Sequence, residues 1–204
     1  MILLIDHDDS FTHNLAGALA VLGEEVGILD GRTADLASVE RFGPSAIILS
    51  SGAGSPEDWP ASVGIVREFG KDIPILGISL GQLIIGDAYG AGRIRSIRHG
   101  KASAVRHDRG GLFAYIPQPF RAMCCHSAVL GREGLPDVLR ADAFSMEDGA
   151  VMAIRHESHP VYGLQFHPES VGTGQGERLL AAFLEEAERF RGHKQDGRAV
   201  SGRR

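Results

Sequence analysis

Three short runs in this sequence carry residue types that could act together on a carbonyl carbon. In GISLGQL (77–83), Ser79 lies between Gly77 and Gly81. This is the G-x-S-x-G outline of a nucleophile elbow, a strand-to-helix turn that projects one hydroxyl into a site. SSGAGSP (50–56) is a small-residue loop; its backbone N–H groups, that of Gly52 above all, could share an oxyanion hole with the N–H of Leu80. FHPES sets His167 and Glu169 two residues apart, where a histidine can serve as general base and a carboxylate can orient its ring. Each run also has a plainer reading, as a turn or as a hydrogen-bonded structural histidine. In the order loop, elbow, histidine, each following an apolar run, they read together as a site for acyl transfer.

The elements around them are those of an α/β fold. ILLID (2–6) reads as a buried strand, and EVGIL, SAIILS (45–50) and IPILGI read as the second, third and fourth strands. Helix-like stretches follow the first, third and fourth of them, the first with Asp9/Ser10 as cap and Gly23 as stop. Continuous apolar strands between helices imply a Rossmann-like (flavodoxin-like), mostly parallel sheet flanked by helices, with its site at the C-terminal strand edge. From about 93 to 168 the pattern changes to strand-like pieces separated by DRGG, PQPF, GREGLP and EDG. An amphipathic helix is expected over about 176–190. One domain is read over 1–191, with a disordered basic tail over 192–204.

With 204 residues, 43% hydrophobic and 23% charged, the chain fits one globular domain. A formal charge of −5 gives no reason to expect nucleic acid. No apolar run is long enough to span a membrane, and MILLIDHDDS lacks the basic start of a signal peptide. The two cysteines, Cys124 and Cys125, are adjacent, which suits a reduced cytoplasmic setting better than a disulfide framework. In a strand their side chains face opposite ways, one to the core and one toward His126 and Ser127. HESH (156–159) has metal-like spacing without a third ligand, and the carboxylates of DHDDS (6–10) suit helix capping better than Mg²⁺. Neither a metal nor a cofactor is expected.

The motifs DSFTHNL, SGAGSPED, GISLGQ, HGKAS, GLFAYIPQPF, CHS, GLQFHPES and GERLLAAFL run in order through nearly the whole chain. In them the sequence resembles the class I (triad-type) glutamine amidotransferases, in particular the small subunits of anthranilate and aminodeoxychorismate synthases. The resemblance implies glutamine hydrolysis and delivery of ammonia to a partner, the chorismate-using component of such a synthase. It assigns the triad to Ser79, His167 and Glu169, the oxyanion hole to Gly52 and Leu80, and substrate contacts to Gly54, Gln82, Leu83, His126 and Ser127. The departures fall on that machinery. Where the family pattern reads G-x-C-L-G-H-Q, this chain has Ser79, Gln82 and Leu83. Its P-G-P-G loop has become SGAG, and its R-Y-H-S has become Cys124-Cys125-His126-Ser127.

A serine hydroxyl is much less acidic than a thiol and needs a well-placed base to take its proton. The favoured expectation is acyl transfer or hydrolysis through Ser79 on a substrate other than glutamine, since Leu83 makes the pocket less polar. The alternative is a non-hydrolysing subunit of an anthranilate- or aminodeoxychorismate-type synthase, natural or with a Cys→Ser change made to trap glutamine.

Overall fold

The computed structural model describes residues 1–201, with side chains as far as His193. One nine-stranded mixed sheet organises it. The strands are β1 (Ile2–His7), β2 (Val26–Asp30), β3 (Ala46–Gly52), β4 (Ile75–Ile78), β5 (Arg93–His107), β6 (Phe120–Leu130), β7 (Leu139–Ser145), β8 (Val151–His156) and β9 (Val161–Leu164). Their order is β2-β1-β3-β4-β9-β8-β7-β5-β6. The first five pair in parallel, which is the expected Rossmann-like α/β arrangement. The remaining ladders are antiparallel and carry the turn-rich segment from 93 onward.

Strands β1, β3 and β4 are buried on both faces, as their unbroken apolar runs require, while β2 at the sheet edge is partly exposed. Ile2, Leu4, Ile48, Leu76 and Ile78 pack on one side with Leu15, Leu19, Leu179, Leu180 and Phe183. Leu3, Ile5, Ile47, Leu49 and Ile75 pack on the other with Val63, Val66, Ile84 and Ile85. The helices are α1 (Thr12–Val21), α2 (Leu36–Phe42), α3 (Pro60–Phe69), α4 (Leu80–Ala88) and α5 (Gly176–Ser201).

Two local expectations change. Asp9 and Ser10 do not cap α1 through their side chains; its N-cap is Phe11, without a side-chain bond. Asp6, at the end of β1, holds the entry instead, accepting from the Asp9 N–H at 3.1 Å and the Thr12 hydroxyl at 2.7 Å. Helix α2 was not anticipated; a capping box between Asp35 and Ser38 starts it and Gly43 ends it. The basic tail expected over 192–204 overlaps the end of α5. Its side chains from position 194, and residues 202–204 entirely, lie outside the described residues.

The sheet curls back on itself. Strand β6 is last in the order, five places from β4, yet its backbone reaches the turn after β4. Met123 accepts from the His167 N–H at 3.0 Å, and the Cys125 carbonyl receives the Ser79 hydroxyl. This closure brings backbone from both halves of the sheet to one strand edge.

Candidate functional site

Ser79 stands between β4 and α4 with φ 52° and ψ −102°, outside the regions an L-residue ordinarily occupies, at a cost of about 1–3 kcal/mol. The turn persists because both neighbouring glycines are sterically required. A Cβ on Gly77 would lie 2.3 Å from the Gly81 carbonyl oxygen, and one on Gly81 2.4 Å from that of Leu49. The Ser79 N–H is tied to the Leu164 carbonyl at 2.7 Å, so strand β9 braces the elbow. Leu80 is the first residue of α4, where a helix leaves the backbone N–H without an intrahelical acceptor.

Strand β9 also delivers His167 and Glu169. Nδ1 of His167 is 2.7 Å from Oε1 of Glu169, and both side chains are almost wholly buried. With Nδ1–H donating to the carboxylate, Nε2 is the nitrogen left to act as a base. It is buried and has no hydrogen-bond partner. The loop carrying the pair is pinned by Thr173, which donates to the His167 carbonyl at 2.6 Å and accepts from the Met123 N–H at 2.9 Å. Phe11 meets the His167 ring edge-on, with centroids 5.9 Å apart.

The hydroxyl of Ser79 does not bond to that histidine. Its acceptor is the carbonyl of Cys125, at 3.5 Å. Gly52 ends β3 against His7, so closely that a Cβ there would lie 2.2 Å from the His7 carbonyl oxygen. The loop after it, including Gly54, is held from within. The Ser55 N–H donates to Asp58 at 2.8 Å, and the Trp59 indole donates to the Ala53 carbonyl at 3.2 Å.

The residues assigned to substrate by resemblance separate into distinct surroundings. Gln82 is fully buried, with its stem against Gly163 and its amide donating to Gln165 Oε1 at 3.1 Å. It is a packing group between α4 and β9. Leu83 belongs to the apolar core on the same side as Ile84 and Ile85. His126 is 5% exposed, and neither ring nitrogen has a partner. Burial, with Arg98, His99 and His167 nearby, pushes its pKa down to about 4, so the ring is neutral near pH 7. Ser127 does not join His126. Strand alternation turns it to the opposite, exposed face, where its hydroxyl lies 3.0 Å from Nε2 of His99. The cysteines divide in the same way, Cys124 buried and Cys125 exposed.

Two histidines near this edge were not singled out from sequence. His7, at the end of β1, is buried edge-on to Trp59 and bonded through Nε2 to Ser62 at 2.9 Å. Its presence in DHDDS was the available signal. Burial pushes its pKa down to about 4. His99 lies in HGKAS, but its partners depend on a register that bulges make illegible from sequence. In HESH, Nδ1 of His156 accepts the Ser158 and His159 N–H groups at 3.0 and 2.9 Å, so that nitrogen holds the turn. Among the described residues, no helix is long and apolar enough to cross a membrane.

Comparison with known proteins fits this geometry. The family model described as Glutamine amidotransferase class-I matches residues 3–187, nearly the whole chain. The chain belongs to the class I glutamine amidotransferases. Aminodeoxychorismate synthase component 2 of Serratia marcescens is 41% identical over 189 residues, covering 90% of this chain and 99% of that protein. Anthranilate synthase component 2 of Pseudomonas aeruginosa is 37% identical over 198 residues, covering 94% and 98%. Among solved structures, one from Thermoplasma acidophilum, described as part of a GMP synthase, superposes with a TM-score of 0.82 at 26% identity, covering 95% of this chain and 96% of that one. This amidotransferase therefore shares its frame with relatives named for different synthases.

Proposed function

We propose that this class I amidotransferase is the second component of a chorismate-type synthase and supports its partner with free ammonia, without efficient glutamine hydrolysis of its own. The partner assignment rests on relatives that are named as second components and match over almost their full length. One observation carries the loss of hydrolysis. The Ser79 hydroxyl makes no hydrogen bond to Nε2 of His167, the only nitrogen of that ring left to serve as base; its acceptor is the Cys125 carbonyl at a long 3.5 Å, and Nε2 has no partner. A hydroxyl must surrender its proton as it attacks, so a serine turned from its base is a weak nucleophile. A displacement of about 1 Å at such a site lowers the rate about a hundredfold. Leu83, buried in the apolar core, stands where the family pattern has an amide, so this position offers glutamine no amide contact.

The experiment is co-expression with a component 1-type synthase of the same organism, assayed with ammonium and with glutamine. A stable complex is expected, with product formed from ammonium and a glutamine rate at background. No complex, or turnover that needs glutamine, contradicts the proposal.

A second reading has its own support. The buried His167–Glu169 pair at 2.7 Å and the strained φ of Ser79 are both retained, and strain of this kind persists where the surroundings hold it for a purpose. Rotation of the Ser79 side chain toward Nε2 would complete a Ser-His-Glu arrangement able to accept an apolar acyl group. Incubation with activated esters and thioesters, followed by intact mass measurement, tests it. An adduct lost in Ser79→Ala supports acyl transfer, and the absence of any adduct removes it.

A further inference from the structure

A second pairing of a nucleophile with a base stands on the β5–β6 ladder. Its register sets His99 directly opposite Cys125, between two irregularities of β5, with Gly100 at φ 63° beside it. Opposed residues bring their side chains within reach across a ladder. Nδ1 of His99 lies 3.3 Å from the sulfur of Cys125, and Nε2 lies 3.0 Å from the hydroxyl of Ser127, two residues along on the same face. With Nε2–H donating to Ser127, Nδ1 faces the thiol as an acceptor. All three residues are exposed.

The neighbouring cysteine is an internal contrast. Cys124 is buried, its thiol 3.5 Å from the Ala122 carbonyl, and burial pushes its pKa up. A buried thiol of that kind is inert, whereas an exposed thiol beside a base is the form that reacts. Of the two, Cys125 alone combines access with an imidazole.

We infer that Cys125 is a thiol-modification site that exchanges with low-molecular-weight disulfides, with His99 as its base and Ser127 orienting the imidazole. Nδ1 of His99 takes the thiol proton as the Cys125 sulfur attacks one sulfur of the disulfide. The original S–S bond breaks and a mixed disulfide forms on Cys125. The departing thiolate then receives the proton from His99. Cys125 is oxidised and the small disulfide is reduced, so no further reactant is needed. This exchange does not depend on whether Ser79 is competent. Because the carbonyl of this same residue receives the Ser79 hydroxyl, the adduct would stand next to the elbow.

The test uses the reduced full chain with glutathione disulfide near pH 7, with the adduct located by fragmentation of the peptide that contains both cysteines. The expected result is one adduct, on Cys125, reversed by dithiothreitol, absent in Cys125→Ser and formed at least about tenfold more slowly in His99→Gln. Glutamine preserves a polar contact without a titratable base, and both substitutions lie on an exposed face, so the fold is retained. No adduct on the native chain, equal labelling of Cys124, or an unchanged rate in His99→Gln would overturn the inference.

Discussion

The Ser79 hydroxyl lies 3.5 Å from the carbonyl oxygen of Cys125, a residue brought to the elbow by the curl of the sheet. The imidazole that would have to take its proton is held by Glu169 and stands unpartnered on its other nitrogen. Ser79 and the His167–Glu169 pair therefore follow neighbouring strands, β4 and β9, with no hydrogen bond between them. In the function proposed above, that missing link separates a working serine enzyme from a protein that keeps only the amidotransferase frame.

Restoring the nucleophile should restore reactivity. Ser79→Cys is expected to react with a chloroketone analogue of glutamine at least about tenfold faster than the native chain, because a thiol beside a histidine ionises readily. Intact mass against time measures the rate, and a native chain labelled as fast as Ser79→Cys would contradict the loss of hydrolysis.

Gly81→Ala should cost about 3 kcal/mol or more, within the upper range for a buried steric conflict. The added methyl meets the backbone of Leu49, which cannot move aside as a flexible side chain would. Urea unfolding of the variant against the native chain measures the loss. A change within about 0.5 kcal/mol would mean that the elbow is not held against β3 as described.

The buried amides of Gln82 and Gln165 should behave as a coupled pair. They bond to each other at 3.1 Å, while Gln82 Oε1 and Gln165 Nε2 have no partner. Gln82→Leu strands the remaining Gln165 amide and should cost about 1–3 kcal/mol; Gln82→Leu with Gln165→Leu should recover most of it. A double-mutant cycle by chemical denaturation gives the coupling, and simple additivity would argue against the pairing.

Acid should weaken the fold through its buried histidines. His7 and His126 are both held down to about 4 mainly by burial. Below pH 6.5 the unfolded chain binds protons there that the folded chain refuses. Their contribution is fully present above about pH 6.5 and is lost as pH falls toward 4. Asp142 opposes them. Burial raises its carboxyl to about 6, so between about pH 6 and 4 the folded chain holds a proton that the unfolded chain lacks. Among these three groups, two protons against one leave a slope of about 1.4 kcal/mol per pH unit in that window, and His107 and His156, also lowered by burial, add to it in the same direction. Thermal melts from pH 7 to 4 should fall accordingly, and should fall more steeply in Asp142→Asn. A flat profile would contradict the buried, neutral state of both histidines.

Much of this arrangement was legible in the residues. Gly77 and Gly81 mark the elbow because nothing larger fits, and the apolar runs of β1, β3 and β4 announce parallel strands buried on two faces. The loop, elbow and histidine come to one edge because parallel strands present their C-terminal ends together. What stayed hidden depends on contacts across the chain. The cap of α1 comes from Asp6 on the preceding strand, where local sequence suggested Asp9 and Ser10. The pairing of His99 with Cys125 follows from a bulged register, and the approach of Cys125 to Ser79 from the curl of the sheet. The direction of the Ser79 hydroxyl is likewise a property of the closed site and of no motif within it.

Ammonia release from glutamine by the purified chain, alone and in complex with a component 1-type synthase, measures the loss of hydrolysis outright. Background release is expected in both states, while ammonium still supports the synthase. Release well above background that disappears in Ser79→Ala would show Ser79 meeting its base in solution, and would contradict the loss of hydrolysis.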